Sequence, residues 1–418
     1  MNKRRGTAAV AVAVLVSAIG AFAAEDEVFW VRRSPPIEQL TGGKIKTGDT
    51  VTAENVDLVK DLLSESMYRN IKDGGVLKIN PTTPTTKLML PSLLKATIEN
   101  RGKAKVAPNG TVTTQDGGPW IGGFPVPEPK TAIEVMATRQ YYQQDQQLDE
   151  FDNNWVNPKG DVYKKIIGQV AVAYMNGRVC EKPVPFVPGS EHELRRELIH
   201  DLDPYDVRGL SVLTVIYVDQ DKLPDAWGYV PVLRRVQRFS SGQRYDSLDG
   251  SDLRAGDIGA FSDPLGTWDF TLIGRKPMLS TITVDSPLPK PREDIALIKG
   301  KYPRDATAEV RDTYVIEAKP KDPSHIYSRK MLYIDAGTWY AVGDFYDKQG
   351  NLWIGWHTHF MRGESPCGNY PRPTLFRLYN YQTGSGSFYN LYRFDQSPGP
   401  DVLPLDTFTL KWISTQTR

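Results

Sequence analysis

Residues 331–360, MLYIDAGTWYAVGDFYDKQGNLWIGWHTHF, decide the fold. Apolar and aromatic residues alternate with other residues in three runs, 331–335, 339–346 and 352–360, and a period of two is typical of β-strands. The turn sequences DAGT and DKQG separate these runs. Connections this short join antiparallel neighbours, because parallel strands need long crossovers. The stretch therefore predicts three strands of an antiparallel meander.

The same alternation recurs on both sides of this stretch. It predicts further strands at 167–175, 209–218, 226–239, 268–274, 313–318 and 387–394. A long antiparallel sheet twists and curls, and its inner face needs an apolar cover. Two helices are predicted upstream, one following the candidate N-cap Thr52 and one from Pro129 to about residue 146. We expect these helices to supply the cover.

Composition excludes several classes of protein. The chain has 418 residues, of which 40% are hydrophobic and 24% are charged, so neither a disordered chain nor a membrane-embedded bundle is expected. A net charge of +1 does not suggest a nucleic-acid binder. The 35 glycines and 31 prolines favour many turns between short strands.

The N-terminal residues are typical of an export signal. A basic group, Lys3 to Arg5, precedes an apolar run over 8–19, and AFA at 21–23 offers small residues for cleavage. We predict a cleaved signal peptide over 1–24, and a retained membrane anchor is the alternative. No cysteine stands directly after the apolar run, where a lipid would be attached, so we expect a soluble, non-lipidated protein of the Gram-negative periplasm.

The chain has two cysteines, Cys180 and Cys367. An oxidising compartment permits a disulfide between them. In the chain-entropy model, closing so long a loop contributes about 5 kcal/mol at most. Two separate buried thiols are the alternative, since the sequence gives no Cα separation.

Three segments resemble one known family. They are GGFPVP with PKTAIEVM (122–136), DAWGYVPVLRRVQR (225–238), and HIYSRK leading into YID and a tryptophan (325–339). In order and spacing they resemble the periplasmic family named domain of unknown function 1329, often labelled outer-membrane lipoprotein-sorting-like. The resemblance covers roughly residues 45–400. Ala132 and Gly228 depart from it, because the family usually has glycine at the first position and a larger residue at the second.

The resemblance implies a fold class, mainly β with helices (α+β). The family is similar to the LolA and LolB carriers, which implies a curved antiparallel half-barrel with helices over its concave face. We expect a signal peptide over 1–24, an N-terminal extension with the covering helices over 25–160, and the half-barrel over 161–418. The extension and the half-barrel are expected to form one structural unit.

The resemblance also implies a function. We expect a periplasmic carrier or chaperone that binds a hydrophobic, lipid-like ligand between sheet and helices. An RND-type exporter and an outer-membrane protein are the partners that the resemblance implies. A non-carrying accessory subunit of an envelope transport complex is the alternative.

Candidate binding residues come from the aromatic-rich strands and one arginine cluster. The expected cavity-lining residues are Trp227, Tyr229, Trp268, Phe270, Tyr333, Trp339, Phe345 and Trp356. For any single residue, packing in the core of the sheet is the favoured alternative, since aromatic residues dominate cores, whereas some members of the set are expected to line the cavity. Arg234, Arg235 and Arg238 are candidates for a partner-docking patch or a headgroup clamp, and a surface ion-pair network is the plainer interpretation.

Catalytic and cofactor motifs are not evident in the sequence. His192-Glu193 begins like a zinc-protease motif, but Arg196 stands where the second histidine is required. His357 and His359 share one side of a predicted strand, and a metal site needs at least three ligands. We therefore expect no enzyme activity, no catalytic residues, no metal and no cofactor, with an unrecognised hydrolase as the remaining alternative.

Overall fold

The computed structural model describes residues 34–248, 250–282, 297–298, 302–303 and 306–415. The predicted signal peptide, residues 1–24, lies outside these ranges. Among the described residues, no helix is both long enough and apolar enough to cross a bilayer.

Most of the regular structure is strand. The strands are β1 Thr50–Val51, β2 Leu77–Ile79, β3 Ala104–Val106, β4 Val112–Thr114, β5 Gln146–Val156, β6 Val162–Tyr174, β7 Glu193–Asp203, β8 Ser211–Tyr217, β9 Asp225–Val230, β10 Arg235–Phe239, β11 Trp268–Ser280, β12 Leu297–Ile298, β13 Tyr302–Pro303, β14 Thr307–Pro320, β15 Arg329–Asp335, β16 Ala341–Tyr346, β17 Leu352–Ser365, β18 Gly368–Asn380 and β19 Gly386–Gln396. The α-helices are short: α1 Ile37–Leu40, α2 Glu65–Lys72, α3 Pro91–Glu99, α4 Ala132–Arg139 and α5 Leu410–Thr415.

One large sheet organises the molecule. Its strands follow the order β1-β2-β14-β15-β16-β17-β18-β19-β5-β6-β7-β8-β9-β10, and β11 also pairs with β14. The pairings are antiparallel except for the short parallel contact between β2 and β14. The two ends of this order do not pair, so the sheet is curved and unclosed. The prediction of a mainly β protein built on one curved antiparallel sheet is confirmed.

The sheet contains strands that the sequence analysis did not predict. β5 lies between β19 and β6, although its sequence, QQLDEFDNNWV, is mostly polar. β7 and β18 are also central strands. Because β1, β2 and β5 precede residue 160, the sheet takes strands from both predicted parts of the chain.

The strand predicted over 226–239 is two strands, β9 and β10, joined by a tight turn. Pro231 lacks the N–H that a continuous strand would donate, and Arg234 adopts a left-handed conformation with φ of 49°. These two residues reverse the chain, so the single-strand prediction was wrong.

Both predicted helices are displaced. The stretch following Thr52 forms a 3-10 helix over Val56–Leu62, and the α-helix begins only after Ser64, whose side chain accepts from the Met67 N–H. The second helix ends at Arg139, because residues from 146 onward pair as β5. Its start is set by a capping box between Thr131 and Glu134.

The hairpin turn between β15 and β16 carries Trp339 into the main core. Asp335 fixes this turn, since its Oδ1 accepts from the backbone N–H groups of Gly337 at 2.7 Å and Thr338 at 2.8 Å. Trp339 has a φ of 63°, which is unfavourable for a bulky residue. Its ring is fully buried and lies 5.5 Å from that of Phe124. Tertiary packing therefore holds the strained residue in place.

Alternation gives the sheet two differently covered faces. Phe345 of β16 belongs to the main core, which also contains residues of α3 and α4, and we call this side the core face. The neighbouring Asp344 and Tyr346 point the other way and bond to Glu65 at the start of α2. At the far end of the sheet, α5 covers the opposite face, where its Ile413 packs in one cluster with Ala171 and Leu213.

Cys180 and Cys367 form a disulfide, with a Cα–Cα separation of 6.2 Å. Cys180 follows β6, and Cys367 lies in the turn between β17 and β18. The bond closes a loop with a sequence separation of 187 residues. It ties two distant parts of the sheet together at one end.

Removing the disulfide is expected to destabilise the fold. The Cys180→Ser/Cys367→Ser double variant should lose up to about 5 kcal/mol of unfolding free energy, because its unfolded chain regains the entropy of the long loop. Urea unfolding of the oxidised wild type and of the variant measures this difference. An unchanged unfolding midpoint would contradict the expectation, and reduced wild type should match the variant.

Candidate ligand-binding face and its cover

The structure brings five of the eight predicted cavity-lining aromatics together. Trp268, Trp339, Phe345 and Trp356 are buried in the main core, and the partly buried Phe270 packs against it. Phe124 of the loop between β4 and α4 lies against Trp339, and Phe261 of the loop before β11 lies against Trp268 and Phe270. Whether any of them lines a ligand site remains a prediction.

The other three aromatics lie elsewhere. Trp227 and Tyr229 belong to the cluster beneath α5 on the opposite face. Tyr333 also points away from the core face, and its hydroxyl donates to Asp344 at 3.2 Å. Tyr333 lines a small pocket beside α2 together with Met67 and other mainly apolar side chains. The eight residues therefore do not share one surface.

The helices α3 and α4 and the loop between β4 and α4 pack on the core face, and we call these elements the cover. Their side chains fill a large part of that face. Trp120 and Phe124, from the loop between β4 and α4, are completely or almost completely buried. Val135 and Met136 of α4 lie in the same cluster. A ligand could reach this part of the face only if the cover moved, because the interior is already occupied by close-packed rings.

The core face is less covered at its β6–β10 end. Val170, Ile199 and Val212 are direct neighbours across β6, β7 and β8, and Val212 pairs with Gly228 in β9. The ring of Phe239 lies over Gly228, where a Cβ atom would come within 2.4 Å of it. We call these five residues the apolar band.

The apolar band is partly open to solvent. Val170, Ile199, Val212 and Phe239 are all half-buried, although each is a large apolar side chain. Val170 packs against the main core, which places the band on the core face. From β6 to β10 the band crosses four strand spacings of about 4.8 Å, or about 19 Å in all. The family that the sequence resembles usually has a larger residue at position 228. Here Gly228 leaves room for the ring of Phe239.

An internally paired charge borders the apolar band. Arg195 and Glu197 of β7 lie on the same face as Ile199, and the Arg195 Nε donates to Glu197 Oε1 at 2.7 Å. The guanidinium of Arg195 also lies over the ring of Tyr174, 5.9 Å from its centroid. Because these charges satisfy one another, the band can remain apolar beside them.

The segment 255–263 is fastened to the core face by buried polar contacts. Lys330 Nζ of β15 donates to Asp257 Oδ1 at 2.8 Å, and both side chains are fully buried. The Tyr327 hydroxyl donates to the other Asp257 oxygen at 2.6 Å. Arg139, at the end of α4, donates to the Phe261 carbonyl at 3.1 Å. Asp257 therefore lies in the interior, where Lys330 and Tyr327 are its partners.

Removal of one partner of this buried pair should be costly. Lys330→Met leaves Asp257 as a buried charge without its cation, and the expected loss is about 3–5 kcal/mol of unfolding free energy. The double variant Lys330→Met/Asp257→Leu should lose clearly less, since no charge remains uncompensated. Urea unfolding of both variants tests this, and equal losses would contradict it.

The three candidate docking arginines differ in their surroundings. Arg234 and Arg235 are exposed, at the turn between β9 and β10 and at the start of β10. Arg238 forms an ion pair with Asp225, and its guanidinium lies 6.0 Å from the centroid of the Trp227 ring. Arg234 and Arg235 are therefore better placed for docking than Arg238.

The buried polar group beneath α2 resembles a catalytic pair only in part. Ser66 Oγ lies 2.8 Å from His357 Nε2, but Ser66 is fully buried. Within the described ranges, the other nitrogen of His357 has no hydrogen-bond partner, so no carboxylate orients the ring. Asp344 instead accepts from the backbone N–H of Glu65, at 2.9 Å, and of Ser66 at the start of α2. The arrangement anchors the helix.

Burial shifts the pKa values of the ionisable side chains beneath α2. Burial and the positive Arg377 hold the pKa of His357 well below its ordinary value, and the same causes lower the pKa of His359 to about 3. Burial raises the pKa of Asp344 to about 6. Among the described residues, no three histidine, cysteine or acidic side chains gather as a possible metal site.

His357 should make the stability depend on pH. The unfolded chain takes up a proton on a histidine near pH 6.5, whereas folded His357 does not, so its contribution to stability is lost as pH falls below about 6.5. Asp344 opposes this, because a raised pKa favours the folded state at low pH. His357→Gln should therefore reduce the fall in melting temperature between pH 7 and pH 5.

The control for this measurement is His192→Gln, at an exposed position. Its melting temperature should follow that of the wild type at every pH. An equal fall in the wild type and in His357→Gln would show that His357 is not responsible.

Several residues of the core face were not predicted from the sequence. Asp149 of β5 is buried, and burial raises the pKa of its carboxyl well above the ordinary value. Ile199 lies in the unpredicted β7. Lys330 belongs to the HIYSRK motif, but nothing local in the sequence indicates its partner Asp257, 73 residues away. The feature of β5 that is visible in the sequence is its high density of polar residues, and such a density favours a loop rather than a strand.

The fold and this face define a mainly β protein with a curved, unclosed antiparallel sheet and a partly covered apolar face. The model of the family described as "Protein of unknown function (DUF1329)" matches residues 50–402. The chain therefore belongs to the DUF1329 family, as its sequence motifs suggested.

Three solved structures are similar to this chain. A "putative outer membrane lipoprotein-sorting protein domain" from Vibrio parahaemolyticus is 17% identical, with a TM-score of 0.48, over 67% of this chain and 97% of that one. A DUF1329 family protein from Desulfovibrio piger is 18% identical, with a TM-score of 0.47, over 67% and 96%. A LolA superfamily protein from Nitrosomonas europaea is 16% identical, with a TM-score of 0.40, over 68% and 100%.

Among curated proteins there is no significant match to the chain.

Proposed function

We propose that this protein is an exported, non-enzymatic carrier of a hydrophobic ligand. The observation that carries the proposal is the apolar band, a row of half-buried aliphatic and aromatic side chains across β6–β10 on the face that the helices otherwise cover. Large apolar side chains left partly open in a row favour an apolar ligand. The signal-like N-terminus supports export to the periplasm.

Energetics support an alkyl chain as the ligand. Each methylene removed from water contributes about 0.8 kcal/mol, so a long chain laid along a band of about 19 Å gains several kcal/mol even after ordering costs. The band offers no activated nucleophile, and its bordering Arg195 is already paired with Glu197. Binding without chemistry is therefore the activity that these residues favour.

Movement of segment 255–263, which adjoins the cover, would enlarge the site that the ligand can occupy. Segment 255–263 and α4 meet through the bond from Arg139 to the Phe261 carbonyl, and both lie against the core face. Displacement of this segment would extend the apolar band toward Trp268 and Phe270. In this proposal the five core-face aromatics become part of the ligand site only when the cover opens.

The proposal also includes two partner proteins. They are an RND-type exporter and an outer-membrane protein, and the ligand would pass between them. The family resemblance alone supports these two partners. The ligand itself is proposed only as lipid-like.

Polar substitution in the apolar band should weaken ligand binding. Delipidated protein is titrated with a fluorescent fatty acid, and Ile199→Gln/Val212→Gln should bind at least tenfold more weakly, because two apolar contacts are lost. Ile273→Gln is the matched control, since Ile273 is a half-exposed strand residue on β11 away from the band. Its affinity should equal that of the wild type.

Two results would contradict the carrier proposal. One is the absence of fatty-acid uptake by the wild type, together with the absence of a lipid-like adduct in native mass spectrometry of protein purified without detergent. The other is equal binding by the band variant and the control.

An accessory subunit is the second candidate, favoured by the exposed Arg234 and Arg235. Gly228→Leu distinguishes the two functions, because the larger side chain would displace the Phe239 ring that lies over Gly228 and so disrupt the apolar band. A carrier would lose transport activity in cells with this change. An accessory subunit would keep it and would lose it instead on charge reversal by Arg234→Glu.

A further inference from the structure

Three hairpin turns meet at one end of the sheet. The turn 204–210 joins β7 to β8, and the pairing of Ser211 with Tyr229 places the turn 231–234 beside it. The pairing of Ile167 with Asp203 brings the start of β6 to the same end. We call residues 157–165, 204–210 and 231–235 the turn surface.

Large apolar side chains are exposed on the turn surface. Tyr205 is 88% exposed, Val232 is 85% exposed and Leu233 is 50% exposed. Val162 and Tyr163, at the start of β6, are also half or more exposed. Single exposed apolar residues are common, but five on adjacent turns form a patch that calls for a partner.

The turn surface is also basic. It contains six basic side chains and two acidic ones, Asp161 and Asp206. Of the basic residues, Arg208 pairs with Asp203 at 3.1 Å, whereas Arg234 and Arg235 are exposed beside Val232 and Leu233. The connection 218–224 at the other end of β8 has two aspartates and one lysine. The turn surface is therefore more basic than the connection at the other end of β8.

We propose that the turn surface docks on the surface of a membrane containing anionic lipids. Tyrosine and aliphatic side chains at the turn tips can enter the headgroup layer, and arginines beside them attract acidic headgroups. A protein partner is less favoured, because binding hot spots cluster in packed pockets, whereas these side chains stand on separate turns.

Docking in this way would bring the apolar band close to lipid. Gly228 lies two residues before the end of β9, and Val212 is the second residue of β8, so the band is next to the turns. A ligand could then pass between bilayer and band over a short path. The docking itself needs no carried ligand, so it can be tested independently of the proposed function.

Vesicle sedimentation tests the proposal. The chain lacking residues 1–24 is used, because the apolar run 8–19 would itself enter lipid. It is mixed with vesicles of phosphatidylglycerol and phosphatidylethanolamine, or of phosphatidylcholine alone. The protein should sediment with the anionic vesicles, bind the neutral ones at least tenfold more weakly, and dissociate as salt is raised.

Two variants separate the apolar and the electrostatic contributions. Tyr205→Ser/Val232→Ser/Leu233→Ser should reduce binding to anionic vesicles by at least tenfold. Arg234→Gln/Arg235→Gln should reduce it by about fivefold for each arginine, and the remaining binding should depend less on salt. Leu223→Ser is the matched control, at an exposed leucine on the other end of β8, and should bind as the wild type does.

Thermal unfolding confirms that each variant is folded before its binding is interpreted. Failure of the wild type to bind anionic vesicles would overturn the proposal, as would equal binding by the triple variant and the wild type. Crosslinking of the turn surface to an envelope protein, without vesicle binding, would also overturn it. Fatty-acid binding by the triple variant should be unchanged, so the docking and carrier proposals fail separately.

Discussion

The packing of Trp339 against the cover is the contact on which the rest of the structure depends. A single antiparallel sheet of this size exposes far more apolar surface than it can leave in water, so its core face must be buried by another part of the chain. Trp339 lies between the rings of Tyr314 in the sheet and Phe124 in the cover. Its unfavourable φ shows that this burial outweighs the local preference of the backbone.

Much of the sheet could be predicted from the sequence, because period-two alternation survives wherever one face is apolar and the other is not. The 331–360 meander was predicted as three strands, and β15, β16 and β17 begin and end within two residues of the predicted runs, except that β17 continues to Ser365. β5 could not be predicted in this way, because its buried Asp149 and Asp152 look like loop residues until their neighbours are known. The helices were displaced for a related reason: their ends depend on the caps at Ser64 and Thr131 and on where pairing begins.

The candidate site was harder to predict than the fold. The candidate aromatics could be chosen by residue type, but the face on which each one lies depends on where its strand begins and ends. The turn at Pro231–Arg234 could not be predicted from alternation alone. The apolar band is built from single residues of four strands and one overlying ring, so no local pattern marks it. The pair Lys330–Asp257 joins a strand to a 3-10 turn distant in sequence. Such contacts are properties of the fold.

The disulfide has a mechanical consequence. Cys180 and Cys367 lie at the end of the sheet opposite to the turns 204–210 and 231–234, and the chain has no other cysteines. A covalent clasp at one end holds the two sides there within 6.2 Å of Cα separation. In oxidising surroundings this bond therefore limits how far the strands at that edge can separate, and no second disulfide restrains the edge that carries the turns 204–210 and 231–234.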